Sequence, residues 1–122
     1  MILGIGVDIV STSRIQEIVE RHGCKFTERV FTDQEIRDSL KYKDPRARVR
    51  HFAKRFAAKE AYVKARGLGF GRGIGIRDIS VSNDSYGKPI ICIGGTRDVD
   101  HNIELSISDH GDYAIAFVTL HS

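Results

Sequence analysis

Within residues 2–10, Ile-Leu-Gly-Ile-Gly-Val-Asp-Ile-Val, large apolar side chains alternate with Gly4, Gly6 and Asp8 from Leu3 to Ile9. This predicts a strand with Leu3, Ile5, Val7 and Ile9 on one face and Gly4, Gly6 and Asp8 on the other. The period then lengthens to that of a helix. Ser13 and Gln16 form an S-x-x-Q capping box, Ile15, Ile18 and Val19 supply an apolar side, and Gly23 stops the helix. A second helix is predicted from Thr32, with a T-x-x-E box to Glu35, to about Lys41. Lys43-Asp44-Pro45 breaks the chain before the longest helical stretch, whose heart is Lys54–Arg66. That stretch is rich in Ala, Lys, Glu and Arg and holds no Gly or Pro. Gly67 caps it, and Gly69, Gly71, Gly73 and Gly75 follow as a loop.

From Ile76 the pattern turns to β. Arg77–Asn83 and Pro89–Ile93 are expected to pair around a turn at Ser85-Tyr86-Gly87-Lys88. Residues 94–102 are polar and too short for a substantial helix. Ile103–Ser108 and Tyr113–His121 predict a last hairpin with His110-Gly111-Asp112 at its tip. The expectation is one α+β domain over residues 1–122, a helical N-terminal half packed on a mostly antiparallel sheet.

Two acidic residues sit awkwardly in this pattern. On the long helix, Phe52, Phe56 and Val63 point one way beside Ala53, Ala57 and Ala61, and Glu60 falls inside that apolar arc. Lys54, Arg55 and Arg66 occupy the charged back, while Lys64 follows Glu60 on its own edge. A carboxylate on such a stripe is costly unless a cation or several donors meet it. The plain alternative is a Glu60–Lys64 surface pair, worth roughly 0.3–0.5 kcal/mol. Asp8 is the other, since Asp is disfavoured within strands. Gly4 and Gly6 before it leave space over the backbone for a ligand or another chain. The plain reading of Asp8 is a strand-end residue facing water.

Composition narrows the chemistry. At 41% hydrophobic and 29% charged residues, the chain has the make-up of a soluble domain. No apolar run is long enough for a membrane span, and no signal peptide is visible. Cys24 and Cys92 lack C-x-x-C spacing, so reduced thiols and a cytoplasmic location are expected. The net charge of +3 favours an acidic partner. Arg46, Arg48, Arg50, His51, Lys54 and Arg55 make a basic run able to hold phosphates. Two carboxylates among such cations suit Mg²⁺ shared with a phosphate ligand, whereas zinc lacks its Cys/His cluster. The chemistry indicated is phosphoryl transfer.

The motif G-I-G-V-D-I-V at 4–10, followed by Arg14, together with R-F-A-A-K-E-A-Y-V-K-A at 55–65, resembles the holo-(acyl-carrier-protein) synthase family of small 4′-phosphopantetheinyl transferases. The glycine loop, Gly87-Lys88-Pro89 and the closing strands extend the resemblance over nearly the whole chain. It implies transfer of 4′-phosphopantetheine from coenzyme A to a serine of apo acyl carrier protein, releasing adenosine 3′,5′-bisphosphate. It implies Asp8 and Glu60 as Mg²⁺ ligands and Lys64 on the coenzyme A phosphates. Arg55, Gly67, Lys88, Pro89, Arg46 and Arg50 would lie along the nucleotide; Arg14, Ile18 and Arg21 would meet the carrier protein. It further implies a homotrimer with sites between subunits and a role in fatty acid biosynthesis. The chain departs from many relatives at Asp109, where they place a histidine, and in its short 94–102 segment. An RNA-binding domain, or a non-catalytic nucleotide-binding subunit, are the other classes; the first leaves Asp8 and Glu60 unexplained.

Overall fold

The computed structural model describes residues 1–67, 70, 73–94 and 100–122. Five strands and four α-helices are found among them: β1 (Ile2–Ser11), α1 (Thr12–His22), α2 (Cys24–Val30), α3 (Asp33–Ser39), α4 (Pro45–Arg66), β2 (Ile79–Asn83), β3 (Pro89–Ile93), β4 (Asn102–His110) and β5 (Tyr113–His121). The α+β expectation holds. β1, β5 and β4 form an antiparallel sheet with β5 in the middle, and β2 and β3 form a separate hairpin. The loop glycines Gly69 and Gly71, and most of the 94–102 segment, lie outside the described residues.

Helix α4 is the axis of the molecule. Asp44 caps its first turn by accepting from the Arg46 amide, Pro45 fits where no N–H is needed, and Gly67 ends it in the left-handed region at φ 76°. It is buried on nearly every side, with Ala53, Ala57, Ala58 and Ala61 fully enclosed. The small alanines let the sheet come close on one flank, while α1, α3 and β2 pack on others. Arg55, expected on a charged back, is instead buried, its guanidinium reaching Asn83 Oδ1 at 3.5 Å. Of that expected charged back only Lys54 and Arg66 keep partial exposure.

The first strand reverses the expected use of its two faces. Gly6 is buried, and a Cβ at Gly4 or Gly6 would collide with the carbonyl oxygen of Ala65 or Ala61. The space over the glycines is therefore taken by α4 of the same chain, not left for a ligand or a second copy. Leu3, Ile5, Val7 and Ile9 point outward. In β5 the inward set is Ala114, Ala116, Val118 and Leu120, and the outward set is Tyr113, Ile115 and Phe117. Register places Val7 opposite Phe117 and Ile9 opposite Ile115, so the outer apolar residues form one continuous face. We predict that Gly6→Ala costs about 3 kcal/mol through overpacking against a rigid helix backbone. Thermal unfolding should show the melting temperature fall by ~10 °C.

Local signals were met unevenly. Thr32 and Glu35 make the reciprocal capping box of α3, which ends at Ser39 rather than Lys41. The box at Ser13–Gln16 does not form; Ser11 caps α1, accepting from the Arg14 amide at 3.3 Å. Ser13 is instead engaged by Asp112, whose Oδ1 accepts from the Ser13 amide at 2.8 Å. Helix α2 was not foreseen, and Ile76–Asp78 is a 3₁₀ turn ahead of β2. In the last hairpin His110 pairs with Tyr113, leaving Gly111-Asp112 as a tight two-residue turn.

A buried ion pair ties these pieces to α4. Lys59 and Glu35 are both fully enclosed, with Nζ 2.7 Å from Oε1. Lys59 also donates to the carbonyls of Val30 (3.1 Å), Ile76 (3.1 Å) and Ile79 (2.6 Å). Glu35 accepts from the Thr32 amide through Oε1 and the Val81 amide through Oε2, each at 2.8 Å. One node thus joins α2, α3, the 3₁₀ turn and β2. Beside it, His51 Nε2–H donates to the Glu35 carbonyl at 2.9 Å, so Nδ1 carries no proton. Burial, helped by the Arg55 charge, lowers the His51 pKa to about 4, so the ring is neutral at neutral pH.

Candidate active site

Asp8 leaves β1 on the same face as Gly4 and Gly6, one step past the point where α4 lies closest. There β1, α1 and α4 border a cleft of about 290 Å³ lined by Asp8, Arg14, Ile15, Ile18, Phe56 and Glu60, among others. The two carboxylates singled out by the sequence face the same space. Apolar Ile15, Ile18 and Phe56 line much of the rest, so charges here interact more strongly than in bulk water.

The electrostatics of the pair are unbalanced. Lys64 Nζ lies 3.0 Å from Asp8 Oδ1 and donates to the Val7 carbonyl at 3.1 Å. Lys64 therefore pairs with Asp8 across the strand–helix junction rather than with Glu60 along the helix, which removes the plain surface-pair reading. Glu60 has no hydrogen-bond partner among the described residues. Burial first, and the Asp8 charge second, push its carboxyl above the ordinary range, with Lys64 only partly opposing. An anion held at a cost beside another anion is a seat for a cation. The donor set is all oxygen, from two carboxylates, and leaves most positions to other ligands, which fits Mg²⁺ rather than zinc. No cluster of three or more His, Cys, Asp or Glu is present among the described residues.

The remaining residues fall in three places. Arg14, Ile18 and Arg21 line one groove along α1 with Glu17 and His22, opening directly beside the carboxylate cleft. Arg14 and Ile18 border both. Arg46 and Arg50 are exposed at the start of α4, and Gly67 ends that helix one turn beyond Lys64. Lys88 and Pro89 stand at the β2–β3 turn, Lys88 paired with Glu104 at 3.1 Å. None of these five lines the carboxylate cleft within one chain. His110 and Asp109 lie at the end of β4 and do not border it either.

A larger cleft of about 470 Å³ opens on the opposite flank of α4, bordered by Tyr62, Arg66, Asp78 and His101. Its Tyr62 hydroxyl is 3.0 Å from His101 Nε2, and His101 Nδ1 is 2.7 Å from Asp100. It contains neither Asp8 nor Glu60. Size alone would favour it, but the charge chemistry lies in the smaller cleft.

Comparison with known proteins identifies the family. The sequence profile of the 4′-phosphopantetheinyl transferase superfamily matches residues 4–118. The holo-[acyl-carrier-protein] synthase of Anaplasma phagocytophilum is 64% identical over 122 residues, covering 100% of both chains. That of Anaplasma marginale strain St. Maries is 66% identical over 121 residues, covering 99% of each. Among solved structures, a holo-(acyl-carrier-protein) synthase from Bacillus anthracis in complex with CoA (3′,5′-ADP) superimposes with a TM-score of 0.87 at 41% identity, covering 100% of this chain and 98% of that one. With a match this long carrying both carboxylate motifs, the chain is a member of the 4′-phosphopantetheinyl transferase superfamily, an enzyme of its holo-acyl-carrier-protein synthase branch.

Proposed function

We propose that this chain transfers 4′-phosphopantetheine from coenzyme A to a serine of apo acyl carrier protein in the cytoplasm, in support of fatty acid biosynthesis. The observation that carries the reading is the facing pair Asp8–Glu60, with Lys64 at its rim and a basic groove alongside. Asp8 and Glu60 would hold Mg²⁺, which when bound neutralises charge building on the pyrophosphate. Lys64, freed from Asp8, turns its ammonium toward a phosphate oxygen. Glu60 or a water beside it accepts the proton of the serine hydroxyl as its oxygen attacks the phosphorus next to pantetheine, and adenosine 3′,5′-bisphosphate leaves with the electrons of the broken P–O bond. Arg55, Gly67, Lys88-Pro89, Arg46 and Arg50 are assigned to the nucleotide. Incubation with Mg²⁺, coenzyme A and apo carrier protein should add the phosphopantetheine mass to the carrier. A carrier of unchanged mass would rule the reading out.

The acceptor is assigned to the α1 groove. Arg14 and Arg21 are exposed cations two turns apart, and Ile18 between them offers an apolar contact. Replacing both arginines by glutamate should raise the KM for carrier protein by roughly tenfold or more through reversed long-range attraction. Coenzyme A affinity should be largely retained. The effect should shrink with added salt, since exposed charges are screened over about 8–10 Å.

The outer sheet face supports self-association into a homotrimer with shared sites. Leu3, Ile5, Val7 and Ile9 are 53–60% exposed and Phe117 is 42% exposed, in one patch that a lone soluble chain rarely shows. A partner seated there could bring its Lys88-Pro89 turn toward the carboxylate cleft, which these residues do not reach within one chain. Light scattering should give three copies per particle, and Val7→Asp should yield single chains with little transfer activity.

A further inference from the structure

We propose that Asp112 is a positioning residue for the acceptor, acting through α1; this rests on the carrier-docking reading of that helix. Helix α1 has no acidic residue in its first turn. A helix start leaves four amides unsatisfied and carries partial positive charge. Here the missing anion arrives from the far end of the sequence. The Asp112 carboxylate accepts from the Ser11 hydroxyl at 2.7 Å, the Ser13 amide at 2.8 Å and the Ser13 hydroxyl at 2.9 Å. Its carbonyl accepts from the Thr12 amide at 2.6 Å. Ser11 takes the next amide, that of Arg14. Three successive amides of the first turn are thus fixed by Asp112 or by a hydroxyl that Asp112 holds. The same contacts, Ser11 first and then Ser13, keep the Asp112 carboxyl below the ordinary range and so favour its anionic form.

The position of this clamp gives it a role beyond capping. Asp112 sits in the two-residue turn that starts β5, and β5 pairs directly with β1: Tyr113 opposite Ser11, Ala116 opposite Asp8. One end of the clamp is therefore rigid with the strand that places Asp8. The other end sets the angle at which α1 departs, and with it Arg14 and Ile18 on the cleft wall. Ile15, fully buried, holds the body of the helix, so loss of Asp112 should loosen its first turn without undocking it. The acceptor-binding groove and the carboxylate are registered to each other through this one exposed side chain.

Steady-state kinetics with coenzyme A, Mg²⁺ and apo carrier protein test the assignment. Asp112→Ala should raise the KM for carrier protein by roughly two- to tenfold, the range expected on losing a helix cap. The KM for coenzyme A and kcat at saturating carrier should not move, and Asp112→Glu should recover part of the loss. Amide exchange at Ser13 and Arg14, read without any substrate, should quicken in Asp112→Ala. Combined with Arg14→Ala, the two changes should be less than additive because both act on one contact. An unmoved carrier KM in Asp112→Ala overturns the role. So does a parallel loss in donor and acceptor constants with a lowered melting temperature, which would mark a merely structural residue. A wild-type chain that adds no mass to the carrier overturns both this and the underlying function; transfer by wild type with an indifferent Asp112→Ala overturns the positioning alone.

Discussion

Asp8→Asn and Glu60→Gln should each lose transfer activity by about 10²–10⁴-fold while remaining folded, as expected when several kcal/mol of charge stabilisation is withdrawn. The folding half of this expectation comes from the geometry. Asp8 pairs with a Lys64 side chain that is 55% exposed, and such pairs add little to stability, ~0–1 kcal/mol. Glu60 gives a sharper outcome. Its carboxyl is raised by burial and by Asp8, so ionising it costs more in the folded chain than in the unfolded one. That cost is present above the raised folded value and vanishes as pH falls and the group protonates. Glu60→Gln removes it, and should therefore melt no lower than wild type while being the less active protein. Melting curves and initial rates on the same samples check this. A Glu60→Gln protein that is both active at low Mg²⁺ and less stable would sink the metal-ligand assignment.

The second large effect concerns Lys59 and Glu35. Lys59→Met should cost about 3–5 kcal/mol, because it leaves the Glu35 carboxylate buried without its cation. Three carbonyls, of Val30, Ile76 and Ile79, lose their donor in the same step. Glu35→Ala should be comparable, stranding the Lys59 ammonium and the Val81 amide together. For a domain with a total stability of roughly 5–15 kcal/mol, either change approaches the limit of folding. Replacing both partners at once by apolar residues should cost less than the two single changes summed, since neither charge is then left alone. Urea unfolding of the three variants measures this coupling. Strict additivity would mean that Lys59 and Glu35 do not act as a pair.

What the sequence disclosed, and what it withheld, follows from the range of each interaction. The β1 alternation, the Thr32–Glu35 box, the Asp44-Pro45 start and the Gly67 stop of α4 are all local, and all were legible. So were Asp8 and Glu60, each misplaced against its own element's pattern. Helix α2 has no side-chain start signal, because its cap is Gly23 and its seven residues are too few to show a period. The Ser11–Asp112 contacts join residues about a hundred positions apart, and no local pattern could have favoured Ser11 over Ser13. Lys59 was readable in principle: it falls on the line Phe52–Arg55–Lys59–Tyr62, one helical face of mostly large side chains. Its signal is masked because lysine on an Ala-rich helix ordinarily marks a solvated surface. Period-two alternation likewise names two faces of β1 without saying which is inward. The usual assignment failed because α4 required glycine-scale clearance, leaving the branched side chains outside.

The pairing of β1 with β5 also bears on how the chain comes off the ribosome. The strand carrying Asp8 is made first, but its sheet partner spans Tyr113–His121. At about 5–20 residues per second, β1 spends several seconds or more as an unpaired, strongly apolar segment before that partner emerges. Pairing across so long a separation is also the slow class of folding event. During that interval the nascent chain presents Ile2-Leu3-Gly4-Ile5-Gly6-Val7 as a bare edge, which invites capture by holdase chaperones or by another nascent copy. A circular permutant joining residue 122 to residue 1 through a short linker, and opened in the β2–β3 turn, would be synthesised with β5 and β1 as neighbours, and should reach the native state faster with less aggregation.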